Sequence, residues 1–398
     1  MRTETDKAQL YDRQLRLWQK DGQAALERAR VVVLGSSTLA SESLKNLVLP
    51  GIGEFIVVDD ALVSEADVRT NFFVRASDVG ESRAQSIVRN LCEMNPDVHG
   101  QAVVKAPADF ADLSNVSLVI ACAQPDKTVR ALGERCWSAN IPMITASNAG
   151  FIAEIRSATS NFWLLANALR RYVASEYGAG KMPHSGAIPD MKADTQSYVN
   201  LLRIYKQKAE QDKAELTQCL RKVVQEAALA DDHVSAGEID TFCKNASQLR
   251  LVRTHALHHE AETAPELWDN LVNEGVSEHY ALFRAAGVFL EKHGRYPGIP
   301  DADTGAGDLD AQCEQDAREL RAIAVDLMTA WGNKDPEVAE SLVAEFVRSG
   351  YMELHNVAAV VGGIVAQETI KLITHQYVPQ NGICIIDTAN NLLAAVKA

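Results

Sequence analysis

The chemistry most readable in this chain surrounds one glycine. Gly35-Ser36-Ser37-Thr38-Leu39-Ala40 follows the apolar run RVVVL at 30–34. A turn of this kind after a first strand can cradle phosphate, because glycine lets the backbone approach and the following helix points its N–H groups at the anion. Only the first glycine of a G-x-G-x-x-G pattern is present. Ser37 puts a side chain where the backbone would pack on a pyrophosphate, and Ala40 fills the close-packing position. The turn therefore reads as a strand–helix junction kept for structure. Asp59, near the end of EFIVVDD at 54–60, stands where a dinucleotide fold places its ribose-binding acid. The seven cysteines (Cys92, Cys122, Cys136, Cys219, Cys243, Cys313, Cys384) are odd in number and form no C-x-x-C pair. Neither a zinc ribbon nor a disulfide framework is expected. Cys122 and Cys384 read as buried in strands, and Cys243 as the most exposed, with helical packing its ordinary role.

The elements that must position these residues alternate at first. A strand at 30–35 is followed by helical spacing over 38–49, with Leu39, Leu44, Leu47 and Val48 on one face. Pro50-Gly51-Ile52-Gly53 ends that helix and 54–60 is the second strand. A helix is expected over 81–94, strands at 103–105 and 116–122, a helix over 126–139, and strands at 142–145 and 151–156. Such alternation predicts a parallel, doubly wound sheet. From about Ser157 the pattern turns helical: a stripe at Phe162, Leu165, Ala168 and Leu169, a long helix over 195–229 carrying Tyr198, Leu202, Tyr205, Ala209, Leu216, Leu220 and Val223, and helices over 236–243, 277–292, 309–331 and 336–350. Gly- and Pro-rich breaks fall at 178–189 and 294–307. After Met352 an apolar helix (356–374) precedes strands at 382–387 and 392–396. The fold class is therefore α/β, Rossmann-like, with an inserted helical domain at 157–350 dividing a sheet domain formed by 1–156 and 351–398.

With 398 residues, 47% of them apolar and 23% charged, the chain can bury a sizeable core. Lys plus Arg total 39 against 53 for Asp plus Glu, a formal charge of −14. That surface repels phosphate backbones and no dense basic stripe offsets it, so neither nucleic acid nor anionic membrane is an expected partner. The opening MRTETDK lacks a signal-peptide core, and no run approaches the ~20 apolar residues that span a bilayer. The expectation is a soluble chain of the cytoplasm and nucleus.

Upstream of the first strand lies Tyr11-Asp12-Arg13-Gln14-Leu15-Arg16-Leu17-Trp18, then Gly22-Gln23. As a bare pattern it is an amphipathic helix with Leu15 and Trp18 inward and the arginines solvated. The run also resembles the opening of the inactive adenylation half of ubiquitin-like activating enzymes, a family of paired Rossmann-like (ThiF/MoeB-like) domains in which one half binds ATP. Four positions depart from what that resemblance expects of an active half. The glycine turn is degraded, and Thr70 in Arg69-Thr70-Asn71-Phe72-Phe73 replaces an arginine. Glu81, after Gly80, replaces a lysine. The magnesium-side aspartate falls near Pro125, with Asp126 one residue on as a shifted ligand. The resemblance implies that this chain binds no cofactor itself. ATP and magnesium are expected in a catalytic partner subunit, with Arg13 reaching the partner's ATP phosphates across the interface; a fixed guanidinium suits charge that grows on phosphate. Arg16 is expected to be an interface or structural residue.

Local runs separate the possible modifiers. Phe162-Trp163-Leu164-Leu165-Ala166-Asn167-Ala168-Leu169, Ile188-Pro189-Asp190-Met191, Gly294-Arg295-Tyr296-Pro297-Gly298 and the tail from His355-Asn356 through Gly362-Gly363 to Ile370-Lys371 resemble regulatory subunits of neddylation-activating enzymes. The sumoylation counterpart shares the opening but lacks these helices. The resemblance implies that Asp190-Met191-Lys192-Ala193-Asp194-Thr195-Gln196-Ser197-Tyr198-Val199-Asn200-Leu201-Leu202-Arg203 touches the catalytic subunit, and that a ubiquitin-like modifier is handled by the pair. No cysteine sits in a recognisable transfer motif, so the chain is not expected to be an enzyme alone. A stretch of the family between 155–156 and 160–162 is nearly absent here, which shortens the helical domain and leaves the strand at 151–156 with fewer expected neighbours. Two rival readings are a self-sufficient adenylating enzyme, which needs a working phosphate loop, and a nicotinamide-dependent oxidoreductase, which needs the missing glycines.

Overall fold

The apolar runs of the first half become strands covered on both faces, as near-continuous Val and Ile stretches require. In the computed structural model, which describes residues 9–158, 163–185, 195–226, 234, 236–246, 264–300, 309–380 and 382–396, the first helix is α1 (Asp12–Arg28). Then follow β1 (Arg30–Leu34), α2 (Thr38–Val48), β2 (Glu54–Val58), α3 (Glu65–Thr70), α4 (Arg83–Met94) and β3 (His99–Val103). Next come β4 (Leu118–Cys122), α5 (Asp126–Ser138), β5 (Met143–Ala149) and β6 (Ile152–Ala158). Side-chain caps set several starts: Ser37 accepts from Ala40 N on α2, Ser64 and Asp67 form a reciprocal box on α3, and Ser82 caps α4.

The last strands are β7 (Gly382–Asp387) and β8 (Leu392–Val396), and the eight-stranded sheet runs β3-β2-β1-β4-β5-β6-β7-β8. β1 to β5 are parallel, whereas β6, β7 and β8 join antiparallel. The strand order reverses between β1 and β4, which places the ligand crevice of a doubly wound sheet beyond their C-terminal ends. β6 pairs with β5 on one side and β7 on the other, so it is not short of neighbours as the truncated stretch suggested.

The helical residues divide differently from the expected 157–350 insertion. One compact unit comprises Met1–Thr159 with Arg253–Ala398, and the other is Ser160–Val252. The antiparallel extension explains the division. Ala153, Ile155, Cys384 and Ile386 face the core shared with the first strands, while Ala149, Ile152, Ile383 and Ile385 point the other way. That second face is covered by α9 (Ala264–Asn273), α10 (Ser277–His293), α11 (Leu309–Ala330) and α12 (Glu340–Ser349), numbered after three helices of the smaller unit. In the smaller unit α6 (Trp163–Ala174), α7 (Thr195–Glu226) and α8 (Ala236–Asn245) share a core of Leu169, Tyr172, Leu216, Leu220, Phe242 and Cys243.

α13 (His355–Thr374) has the length and apolar composition of a membrane span, although Gln367, Glu368 and Lys371 interrupt it, and more than half of it is buried inside the fold. It lies along α2 at close range. A Cβ on Gly362 would stand 2.8 Å from the Ser43 backbone nitrogen and 2.9 Å from the Glu42 carbonyl carbon, whereas one on Gly363 would meet nothing within 4 Å. Backbone cannot rotate away as a side chain can, so the helices must separate. Gly362→Ala is expected to cost about 1–3 kcal/mol of stability by overpacking, while Gly363→Ala, in open space within a helix, is expected to stabilise by up to about 1 kcal/mol. Urea midpoints of the two variants check this; equal shifts would mean that α2 and α13 do not approach so closely.

Candidate functional site

The aromatic residues of the N-terminal run act as anchors. Tyr11 is buried, its hydroxyl accepting from Asn95 Nδ2 at 3.0 Å and lying against Gly51. Trp18 Nε1 donates to Gln23 Oε1 at 3.0 Å, and Gln23 Nε2 donates to the Pro50 carbonyl at 2.9 Å. These bonds fix α1 across the α2–β2 turn, with a break at Gln19, whose φ is +60°. Leu15, expected inward with Trp18, is only half-buried. The opposite side of α1 is open. Arg13 is exposed and has no ion-pair or hydrogen-bond partner among the described residues, and Arg16 pairs with Asp12 at 2.8 Å in solvent. Leu10 and Leu17, three residues before and four after Arg13, are 47% and 59% exposed. Tyr377, itself 65% exposed, donates its hydroxyl to the Leu17 carbonyl at 3.2 Å. Arg13 thus stands exposed between Leu10 and Leu17, with the Asp12–Arg16 pair beside it.

At the glycine turn the donors are already engaged. Gly35 has φ +87°, the left-handed region glycine tolerates, and the place a Cβ would take is filled by the Gln124 amide, 2.6 Å away. Gln124 is held there by donating to the Cys122 carbonyl at 2.9 Å. Ser36 N donates to Asp59 Oδ2 at 2.9 Å, and the Ser36 hydroxyl bonds to the same oxygen. Arg83 completes the group, with Nη2 2.9 Å from Asp59, Nη1 2.9 Å from Asp67 and Nε 2.9 Å from Ser36 Oγ. Burial alone would raise the Asp59 carboxyl, but Arg83, the Ser36 hydroxyl and the Ala61 N–H together hold it below the usual range. Sequence reasoning missed Arg83. Its signal was a cation in the first turn of a helix, a placement the helix dipole disfavours unless acids compensate.

Two further side chains from far along the chain close the crevice. Leu39 N, in the first turn of α2, donates to Glu353 Oε2 at 2.8 Å. Burial pushes the Glu353 carboxyl above its usual range, although the Leu39 N–H, the Ser37 hydroxyl and the Arg83 charge pull the other way. Asp126 is not a free carboxylate. Its Oδ1 accepts from Arg284 Nη1 at 2.7 Å and lies 3.4 Å from Arg156, and Arg284 also bonds Glu154. This four-charge cluster joins α5, β6 and α10, and Arg156 further donates to Thr145 Oγ1 at 3.1 Å. Beside it Tyr296 and Tyr351 stack with ring centroids 3.9 Å apart. Burial pushes the Tyr296 hydroxyl up to about 12.

The remaining expected residues lie elsewhere. Glu81 is exposed and 3.5 Å from Arg89, and the Thr70 hydroxyl donates back to the Ala66 carbonyl of its own helix. Asn71 is buried and ties this loop to α2 through the Ser41 hydroxyl at 3.1 Å. All seven cysteines are free thiols; Cys122, Cys136, Cys243 and Cys384 are buried. Cys243, expected to be the most exposed, sits in the core of its helical unit, and burial pushes its thiol up to about 11. No such thiol is primed as a nucleophile, because the thiolate does the chemistry. Asp190, Met191, Lys192, Ala193 and Asp194 lie outside the described residues. Thr195 to Arg203 form the first turns of α7, where Tyr198 and Val199 are exposed.

The sequence profile of the ThiF family matches residues 11–397, and the chain belongs to that family. Among curated relatives it is 28% identical over 538 aligned positions to the NEDD8-activating enzyme E1 regulatory subunit of Danio rerio, spanning 99% of both chains. It is 27% identical to the NEDD8-activating enzyme E1 regulatory subunit AXL of Arabidopsis thaliana, over 95% of this chain and 97% of that one. The corresponding subunit of Caenorhabditis elegans is also 27% identical, over 96% of this chain and 97% of that one. An alignment of 538 positions against 398 residues means that the Danio rerio relative carries a long stretch without a counterpart here.

Two outcomes test this geometry. Arg284→Ala removes one of the two cations and leaves Asp126 and Glu154 to share Arg156 inside the fold, and taking a partner from a buried ion cluster costs up to about 3–5 kcal/mol. The measurement is a chemical-denaturation midpoint; a loss below about 1 kcal/mol, the worth of a surface pair, would mean that water reaches the cluster. For Asp59 the folded-state value lies below the ordinary 3.8. Its contribution is therefore present above 3.8 and lost as pH falls through the lower folded-state value. The stability gap between wild type and Asp59→Asn should be largest above pH 3.8 and shrink toward more acid pH. A gap that widened on acidification would reverse the assignment.

Proposed function

We propose that this chain is the regulatory, non-catalytic subunit of a heterodimeric activating enzyme for a NEDD8-type ubiquitin-like modifier. It pairs with a catalytic subunit that holds ATP, magnesium and the transfer cysteine, and it binds no nucleotide itself. The observation that carries this reading is a contrast between two regions of one domain. Around Gly35 the donors and acids that could meet a nucleotide are engaged by Glu353, Arg83, Gln124 and Arg284. Arg13, on α1, is exposed between Leu10, which precedes the helix, and Leu17, and has no ion-pair partner among the described residues. A cation without an ion-pair partner among the described residues, flanked by exposed leucines, suits an interface that supplies its counter-charge. Full-length similarity to named NEDD8 E1 regulatory subunits gives the modifier class.

In this reading Arg13 enters the partner's site and stabilises charge that develops on the ATP phosphates as the modifier's carboxylate attacks. The exposed start of α7, with Asp190 to Asp194 before it, supplies a second contact to the catalytic subunit. The chain acts by positioning, and the transfer thiol belongs to its partner.

Co-purification with a candidate catalytic subunit tests assembly, and modifier-dependent ATP–pyrophosphate exchange tests Arg13. The assembled wild-type pair is expected to exchange and the isolated chain is not. Arg13→Ala should lower the rate about a hundredfold, the usual effect of one lost transition-state donor, with the heterodimer intact. An unchanged rate in an intact complex would remove Arg13 from the mechanism, and loss of assembly alone would make it an interface residue.

A further inference from the structure

The preceding reading leaves this chain without a nucleotide of its own, and the contacts around α2 name a group that keeps it so. We propose that Glu353 is an internal anion that holds the phosphate position of this chain shut. In a doubly wound sheet, a ligand's phosphate sits at the N-terminus of the helix that follows the first strand. Here that helix is α2, and its first-turn donors are met by the chain's own oxygens. Leu39 N donates to Glu353 Oε2 at 2.8 Å, Ala40 N to the Ser37 hydroxyl at 3.4 Å, and Ser36 N just before the helix to Asp59 at 2.9 Å. The carboxylate therefore takes the role a phosphate oxygen would play.

A second observation is independent of the helix terminus. The side of Gly35 left open by the missing Cβ, where a phosphate would need bare backbone, is covered by the Gln124 amide. Carboxylate and amide close the position from two directions. The segment that brings Glu353 is also fixed. Met352 O accepts from Gly150 N at 3.0 Å, and Tyr351 stacks on Tyr296. Glu353 is thus delivered by a connector held on both β5–β6 and the aromatic pair, immediately before α13. Burying the carboxyl has a cost, seen in the upward push on its proton affinity.

The test is thermal unfolding of the full chain, wild type and Glu353→Ala, against inorganic pyrophosphate with sodium chloride at matched ionic strength. The wild-type midpoint should not move beyond the salt control. Glu353→Ala should gain a pyrophosphate-dependent rise of about 2 °C at roughly ten times its Kd. If Glu353→Ala does not fold, Glu353→Ser leaves similar room with a polar group and is read the same way. A wild type that responds as strongly as the variant would show the position to be open. A variant that stays unresponsive, or responds equally to chloride, would show that Glu353 is not what fills it. Either failure leaves assembly and the Arg13 role standing, because they are read on other atoms; an open position in the wild type would remove only the statement that this chain holds no nucleotide. Failure to assemble, conversely, leaves the Glu353 result intact.

Discussion

The first N–H groups of a helix have no partners within it, and when that end is turned into a protein something must accept from them. At the end of β1 this requirement organises much of the larger unit. A nucleotide-binding fold leaves those donors to its ligand. Here Asp59, the Ser37 hydroxyl and Glu353 accept instead. Arg83 then balances the acids gathered there, bonding Asp59, Asp67 and the Ser36 hydroxyl. Because Glu353 immediately precedes α13, and α13 rides on α2 through Gly362, the turn and the helix pairing are consequences of the same contacts.

A related substitution operates on the cation side of the crevice. Asp126 is neutralised by Arg284 and Arg156, with Glu154 the fourth member. Arg284 comes from α10, one of the helices covering the second face of the antiparallel extension. The cluster therefore serves as a polar seam between the parallel sheet and those helices. This explains why helices that continue the helical run of the sequence belong with the sheet. The inner faces of β6 and β7 alternate, and both sides of such strands must be covered.

The N-terminal helix shows a complementary arrangement. Tyr11, Trp18 and Gln23 are consumed in fixing α1 to the turn after α2, and the same helix turns Arg13 and Leu17 outward, next to exposed Leu10 just before it. Rigid anchoring matters for a group proposed to act on another chain, since a guanidinium that must first be ordered loses part of its effect.

Local sequence was enough for the alternation of β1, α2, β2, α4, β4 and α5, because apolar period and serine caps are properties of neighbouring residues. It also exposed the degraded glycine turn, the run from Tyr11 to Trp18 and the return of strands after the helices. Boundaries moved where pairing decided them: the strand expected at 103–105 lies at His99–Val103 because it pairs in register with β2. Only tertiary structure could decide what meets the end of α2. Glu353 is 314 residues from Leu39, and Arg284 is 158 from Asp126. A hydrogen bond or ion pair closed over such a distance leaves no periodicity in the chain, so it is fixed by the packing that brings the two ends together and by nothing nearer.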